Sequence, residues 1–234
     1  MKTHLEHLRT EPFTIHREWT ESDIPVLRAS VFLPEPVPAL NAVCRRIRRY
    51  YRLQGRAFLR YCQRTLLPMA QSEARAALAE SRPLPEFQAE LSYEITYNAH
   101  GFWSLYTQVR EHTLPGQDFL LRRGDTWDLN SGYPAALADF FPRRSGWKRR
   151  LLSTAEAEAL RRERAGISRY RESLRRDLRR RFSPRNYYLT EEGLVFFYPM
   201  YAIAPAREGI PAFTLPYGED ILFPPEAPAP SSGT

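Results

Sequence analysis

Five histidines, two cysteines and a large surplus of arginine are the residues of this chain best suited to chemistry. His4 and His7 stand three apart, which on a helix would turn two imidazoles to one side as metal ligands. They sit in a terminus prone to fraying with no cysteine nearby, so they read as incidental surface residues. His16, His100 and His112 fall in or beside expected strands, His100 as a turn residue, and none has an adjacent partner that marks a nucleophile. Cys44 and Cys62 lie eighteen residues apart on one expected helix. They share a face but stand about 27 Å apart along its axis, so they cannot bridge and read as small buried apolar residues. Asp125, Asp128, Asn130 and Gly132 faintly echo a calcium loop, but the full ligand series and its terminal glutamate are missing. A turn accounts for Asn130-Ser131-Gly132, and a tight polar hairpin accounts for Glu191 and Glu192. Phosphate-loop, dinucleotide-fingerprint, nucleophile-elbow, zinc-protease and Cys-x-x-Cys signatures are all absent, Lys148 in Ser145-Gly146-Trp147-Lys148 being the only lysine beyond Lys2. No catalytic residue, metal or cofactor is expected from these patterns.

Arginine is the feature above background. The 234 residues carry 34 basic side chains, of which 32 are arginine, and a net charge of +7. Residues 41–69 contain eight arginines and no acid. Residues 143–181 contain fifteen basic and five acidic residues. Together these segments carry +18, which leaves −11 on the rest, so the chain is an acidic body with two basic segments.

Both basic segments carry a helical period. In the first, Leu40, Cys44, Ile47, Tyr51, Phe58 and Cys62 fall on one stripe. Arg45, Arg49, Arg52, Arg56 and Arg60 lie on the opposite side. Pro38 is placed near the start, Pro68 is expected to end or kink the helix, and a second helical stretch covers 69–80. In the second segment, Ser153-Thr154-Ala155-Glu156 fits a capping box. A helix is expected over 154–182, with Leu160, Ile167, Leu174 and Leu178 buried and Ser183-Pro184 as the stop. The arginine faces read either as solvated helix backs, with stems over apolar neighbours, or as sites for phosphate, nucleic acid or another anionic polymer.

Alternating or β-rich runs predict strands over 13–19, 24–33, 87–97, 102–109, 119–129, 187–189, 194–198 and 212–215. The order of elements implies an α+β fold, a mostly antiparallel sheet with two long amphipathic helices packed on one face. Residues 1–12 read as an N-terminal arm, 13–223 as the domain (halves 13–117 and 118–223), and 224–234 as a proline-rich tail. Hydrophobic residues at 43% and charged residues at 26% are globular values. No apolar run suits a transmembrane helix and residues 1–19 lack a signal-peptide apolar core, so a cytoplasmic location is expected, or an extracytoplasmic one if an anchor lies elsewhere.

The C-terminal third resembles a known family. Asn186-Tyr187-Tyr188-Leu189-Thr190-Glu191-Glu192-Gly193-Leu194-Val195-Phe196-Phe197-Tyr198, Tyr201-Ala202-Ile203-Ala204-Pro205 and Gly209-Ile210-Pro211-Ala212-Phe213-Thr214-Leu215-Pro216-Tyr217 resemble the signature of the RsiV-like domain. Leu91-Ser92-Tyr93-Glu94-Ile95-Thr96-Tyr97-Asn98, Asp125-Thr126-Trp127-Asp128-Leu129-Asn130-Ser131-Gly132 and Ala138-Asp139-Phe140-Phe141 follow its order and spacing. The resemblance implies a single-sheet α+β domain with two long helices. In anti-sigma factors of that kind the domain senses lysozyme outside the cell, and in some relatives it accompanies a polysaccharide deacetylase. Thr113-Leu114-Pro115-Gly116-Gln117 stands where the family carries Gly-Gly-Ala-His, Met200 where a proline is usual, and Ala206 where a tyrosine is.

The reading is therefore a non-catalytic RsiV-like binding module whose partner is a protein or an anionic polymer, with lysozyme as the partner the family suggests. Its candidate contacts are Arg45, Arg49, Arg52, Arg56 and Arg60 on the first helix, with Gln117 and Asp118 in the altered loop. The alternatives are an enzyme acting on cell-wall carbohydrate and nucleic-acid binding through the two arginine-rich helices.

Overall fold

A computed structural model describes residues 6–38, 41–114, 117–218 and 221; the side chains of Leu114 and Gln117 lie outside that description. Within it the chain is α+β, with two sheets ordered β1-β2-β3-β4-β5-β6 and β7-β8-β9. No described helix is long and apolar enough to cross a membrane. The chain divides into two compact units, one of residues 9–94 and 107–122, the other of 1–8, 95–106 and 123–234.

The first unit is built on β1 (Thr10–Glu21) and β2 (Ile24–Pro36), an antiparallel pair turned at Ser22 and Asp23, both with positive φ. Thr10 already pairs with Pro36, so the strand reaches into the expected N-terminal arm. β2 then runs parallel to β3 (Phe87–Ala99), residues 27–31 beside 87–91. A parallel neighbour demands a long crossover, and the helical stretch between them supplies it. That stretch is α1 (Ala42–Tyr61), a π turn (Cys62–Leu66) and α2 (Leu67–Ala79), continuous over 38 residues. Asn41 caps it, its Oδ1 accepting from the Cys44 amide at 2.7 Å.

Of the two outcomes expected at Pro68, an end or a kink, the helix does not end there. Proline removes one backbone donor and crowds the carbonyl four residues back. The wider π turn just before it relieves both demands. Cys44, Ile47, Tyr51, Phe58, Cys62 and Leu66 form the buried stripe, continued by Ala70, Ala74 and Ala77. It lies on β2, whose Leu27, Ala29, Val31 and Leu33 are buried at every second position. Each large aliphatic or aromatic residue of that stripe is worth about 1.5–3 kcal/mol of burial, so packing holds the helix more than propensity does. Both cysteines are free thiols, as their spacing requires.

The second unit takes the far ends of three strands, β3, β4 (Phe102–Leu114) and β5 (Gln117–Asp128), and the short β6 (Tyr133–Pro134). β3 and β4 join through His100 and Gly101, both with positive φ, as the turn reading of 98–101 requires. Asn98 ties down the described end of the arm: its side chain accepts from the Leu8 amide at 2.9 Å and donates to the Leu8 carbonyl at 3.0 Å. Then follow α3 (Trp147–Arg164), α4 (Leu174–Arg181) and the sheet of β7 (Tyr187–Leu189), β8 (Gly193–Phe197) and β9 (Ala212–Pro216). β7-β8 and β8-β9 are antiparallel. α3 packs on β9 and α4, burying Leu151, Ala155, Ala159, Leu174 and Leu178 against Phe196, Tyr198 and Phe213.

Two expectations are corrected here. The nine described strands form two sheets where the resemblance implied one. The helix expected over 154–182 is two helices, and it starts seven residues earlier, so Ser153 lies inside α3 and caps nothing. Gly166, at φ +68°, ends α3 in a Schellman motif: the Ile167 amide donates to Arg162 O at 2.9 Å, and the Gly166 amide to Glu163 O at 3.0 Å. Ile167, expected in the core, is 65% exposed beyond that stop, and Leu160 is 38% exposed.

Candidate functional site

The first-helix arginines divide into two kinds. Arg45, Arg49, Arg56 and Arg60 are exposed on the back of α1. Arg52 is structural: it donates to Glu35 of β2 at 3.0–3.1 Å, and its guanidinium lies 5.2 Å from the centre of the Phe13 ring. Arg48 meets the same carboxylate at 2.5 Å. Asp118 is met by His112 Nδ1 at 2.9 Å, across from β4, and has no contact with the helix arginines among the described residues. The side chain of Gln117 lies outside the described residues, as do Pro115, Gly116 and His4. Among the described residues, Asp118 is thus paired with His112 and not with the helix arginines.

The acids and thiols read as structural. Asp128 Oδ1 accepts from the Asn130 amide at 2.8 Å and closes the turn there, while the buried Asp125 meets Arg123 at 3.2 Å. Tyr61 donates to Glu111 at 3.1 Å. Burial raises the Glu111 carboxyl, and burial followed by the Glu111 charge pushes the Cys62 thiol up to about 12. A thiol held there is no nucleophile near neutral pH.

The second basic segment does form a concave site. Arg144 and Gly146 take left-handed φ values of 64° and 67°, and they lead the chain into α3. The first turn of α3 then presents Lys148, Arg149 and Arg150 with no acid and no side-chain cap. Cations there add to the positive end of the helix dipole, a mutual repulsion that an anion would relieve. Across from it, α4 contributes Arg175 and Arg179 from successive turns. Between the two helices lies a cavity of about 610 Å³ lined by Arg144, Lys148, Arg149, Arg175 and Arg179. Trp147, Leu152 and Leu178 supply its apolar wall. Trp147 is fixed by stacking on Phe141, centroids 5.5 Å apart at 16°, and Lys148 Nζ sits 5.5 Å from the Phe182 ring.

Five cations and one carboxylate, Glu156, line this cavity, and Glu156 is engaged by Arg175 at 2.6–2.7 Å. Arg144, Lys148, Arg149 and Arg179 make no ion pair among the described residues. The remaining polar lining group is Ser153, which has no imidazole or free carboxylate beside it in that lining. Such a wall can hold an anion by charge and by guanidinium hydrogen bonds. The sequence signal for it was the charge of 143–181, and reading that segment as one helix hid the concavity between two.

Comparison with known proteins agrees with this α+β architecture. Residues 138–218 match the model of a family described as protein of unknown function (DUF3298), and every residue named above for the cavity falls inside that segment. A solved DUF3298 member from Bacteroides fragilis NCTC 9343 superposes with a TM-score of 0.69 at 14% identity, covering 94% of this chain and 95% of its own. A DUF3298 protein from Pseudomonas aeruginosa PAO1 gives 0.53 at 14% identity, covering 90% and 91%. At that identity the likeness is one of fold. No curated protein matches the chain.

Proposed function

We propose that this chain is a binding module, without catalysis, that takes an anionic ligand into the cavity between α3 and α4. The observation that carries the reading is the set of four cations in one concave wall without ion pairs, beside a helix start that holds no acid. The partner is an anionic polymer or a protein presenting acidic groups. The resemblance of residues 186–217 to the RsiV-like domain supports recognition over turnover. Their tyrosines donate to backbone carbonyls: Tyr187 to Ala135 at 2.6 Å, Tyr198 to Leu178 at 3.0 Å and Tyr217 to Thr190 at 2.8 Å. Burial raises all three phenols, so they stay neutral and hold the fold.

Calorimetric titration with inorganic triphosphate tests the proposal. Saturable binding at low salt that weakens as salt rises is expected. The pair Lys148→Glu and Arg149→Glu should weaken it at least tenfold, with the circular dichroism unchanged. No binding by the parent chain, or equal binding by parent and variant, would overturn the proposal.

A further inference from the structure

The cavity does not stand by itself. Its α4 wall, Arg175 and Arg179, is also a wall of a second hollow of about 630 Å³, completed by Arg176, Arg180, Glu172 and Ser173. Its α3 wall, Trp147, Arg149 and Ser153, is shared with a third hollow of about 320 Å³ that adds Arg150. Three hollows therefore follow one another with common walls. Each has the volume of a ligand subsite, and each is lined by at least two arginines. Resting on the anion-binding reading above, we infer that the ligand is a linear phosphate chain, of the polyphosphate kind, laid across all three hollows from Arg176 and Arg180 to Arg149 and Arg150.

The placement of charge argues for a chain over a small anion. One phosphate in the central cavity would meet neither Arg176 and Arg180 of the second hollow nor Arg150 of the third, none of which lines that cavity. A ligand with a charge on every unit would meet them in turn. The chemistry of the walls argues for a chain without bases. Single-stranded nucleic acid is held by aromatic platforms on which bases stack. The second hollow has no aromatic or apolar residue in its lining, and one face of the Trp147 ring is taken by Phe141. What remains to be read is repeated charge, which the planar guanidinium reads well in phosphate.

Binding of polyphosphates of 3, 15 and 60 units, measured at two salt concentrations, tests the inference. The 15-unit chain should bind at least thirtyfold tighter than triphosphate, beyond the gain expected from its extra binding registers, and with a steeper salt dependence. The double change Arg176→Glu and Arg180→Glu touches only the second hollow. It should weaken the 15-unit chain at least tenfold and leave triphosphate unaltered. If length brings no gain beyond the statistical one, or the double change weakens both ligands alike, the extended site is wrong while the anion cavity stands. If neither ligand binds, both fall. If a 15-nucleotide thymidine strand binds tighter than the 15-unit polyphosphate, recognition includes bases and the inference is overturned.

Discussion

The arginines of this protein occupy two kinds of environment, and geometry separates them residue by residue. Arg162 is a structural arginine: it donates to the Ala212 carbonyl at 3.0 Å, lies 5.3 Å from the Phe213 ring centre, and meets Glu158 at 2.7 Å. Glu158 also accepts from Arg161 at 2.7 Å, and the hydrogen bonds from Arg161 and then Arg162 hold its carboxyl at about 2. A carboxyl lowered by folding contributes stability above its ordinary value near 4.5, and that contribution is lost as pH falls through about 2. Glu158→Gln should therefore cost about 0.5–1 kcal/mol at pH 7, the size of surface ion pairs on a helix. The stability curves of variant and parent, followed by denaturant melts, should converge toward pH 2. A constant gap across that range would show that charge is not the cause. By contrast, Arg144, Arg149 and Arg179 are exposed and make no ion pair among the described residues, which is why they carry the functional reading.

At the scale of elements, the long helix shows what the sequence period can and cannot convey. The stripe from Cys44 to Cys62 is legible because burial against one sheet imposes one repeat. The continuity through Pro68 is not, because the π turn that accommodates it has no composition signature. The opposite error occurs at Gly166, where an arginine-rich period continues across a glycine that takes left-handed φ. Periodicity reports faces, and only the glycine reports the stop. Gly55 marks a close approach of α1 to β2: a Cβ there would lie 3.1 Å from Leu33 Cδ1 and 3.4 Å from Val31 Cγ1. Gly55→Leu should destabilise the protein by about 1–3 kcal/mol through overpacking, measured by chemical denaturation. An unchanged midpoint would mean that helix and strand are more loosely packed than described.

For the molecule as a whole, net charge was legible and its disposition was not. The −11 and +18 of body and helices can be counted along the chain, yet the two basic segments belong to different units. One is spread along an open helix back, whereas the other is folded around a cavity. Concavity arises from the break between α3 and α4, a tertiary fact that no spacing in 143–181 announces. The most direct test of the anion cavity is an amide chemical-shift titration of the folded chain with inorganic triphosphate. The predicted result is saturating shifts confined to the amides of 144–150 and 175–179 and the Trp147 indole, with 45–60 undisturbed. Shifts centred on 45–60, or none up to millimolar triphosphate, would contradict it.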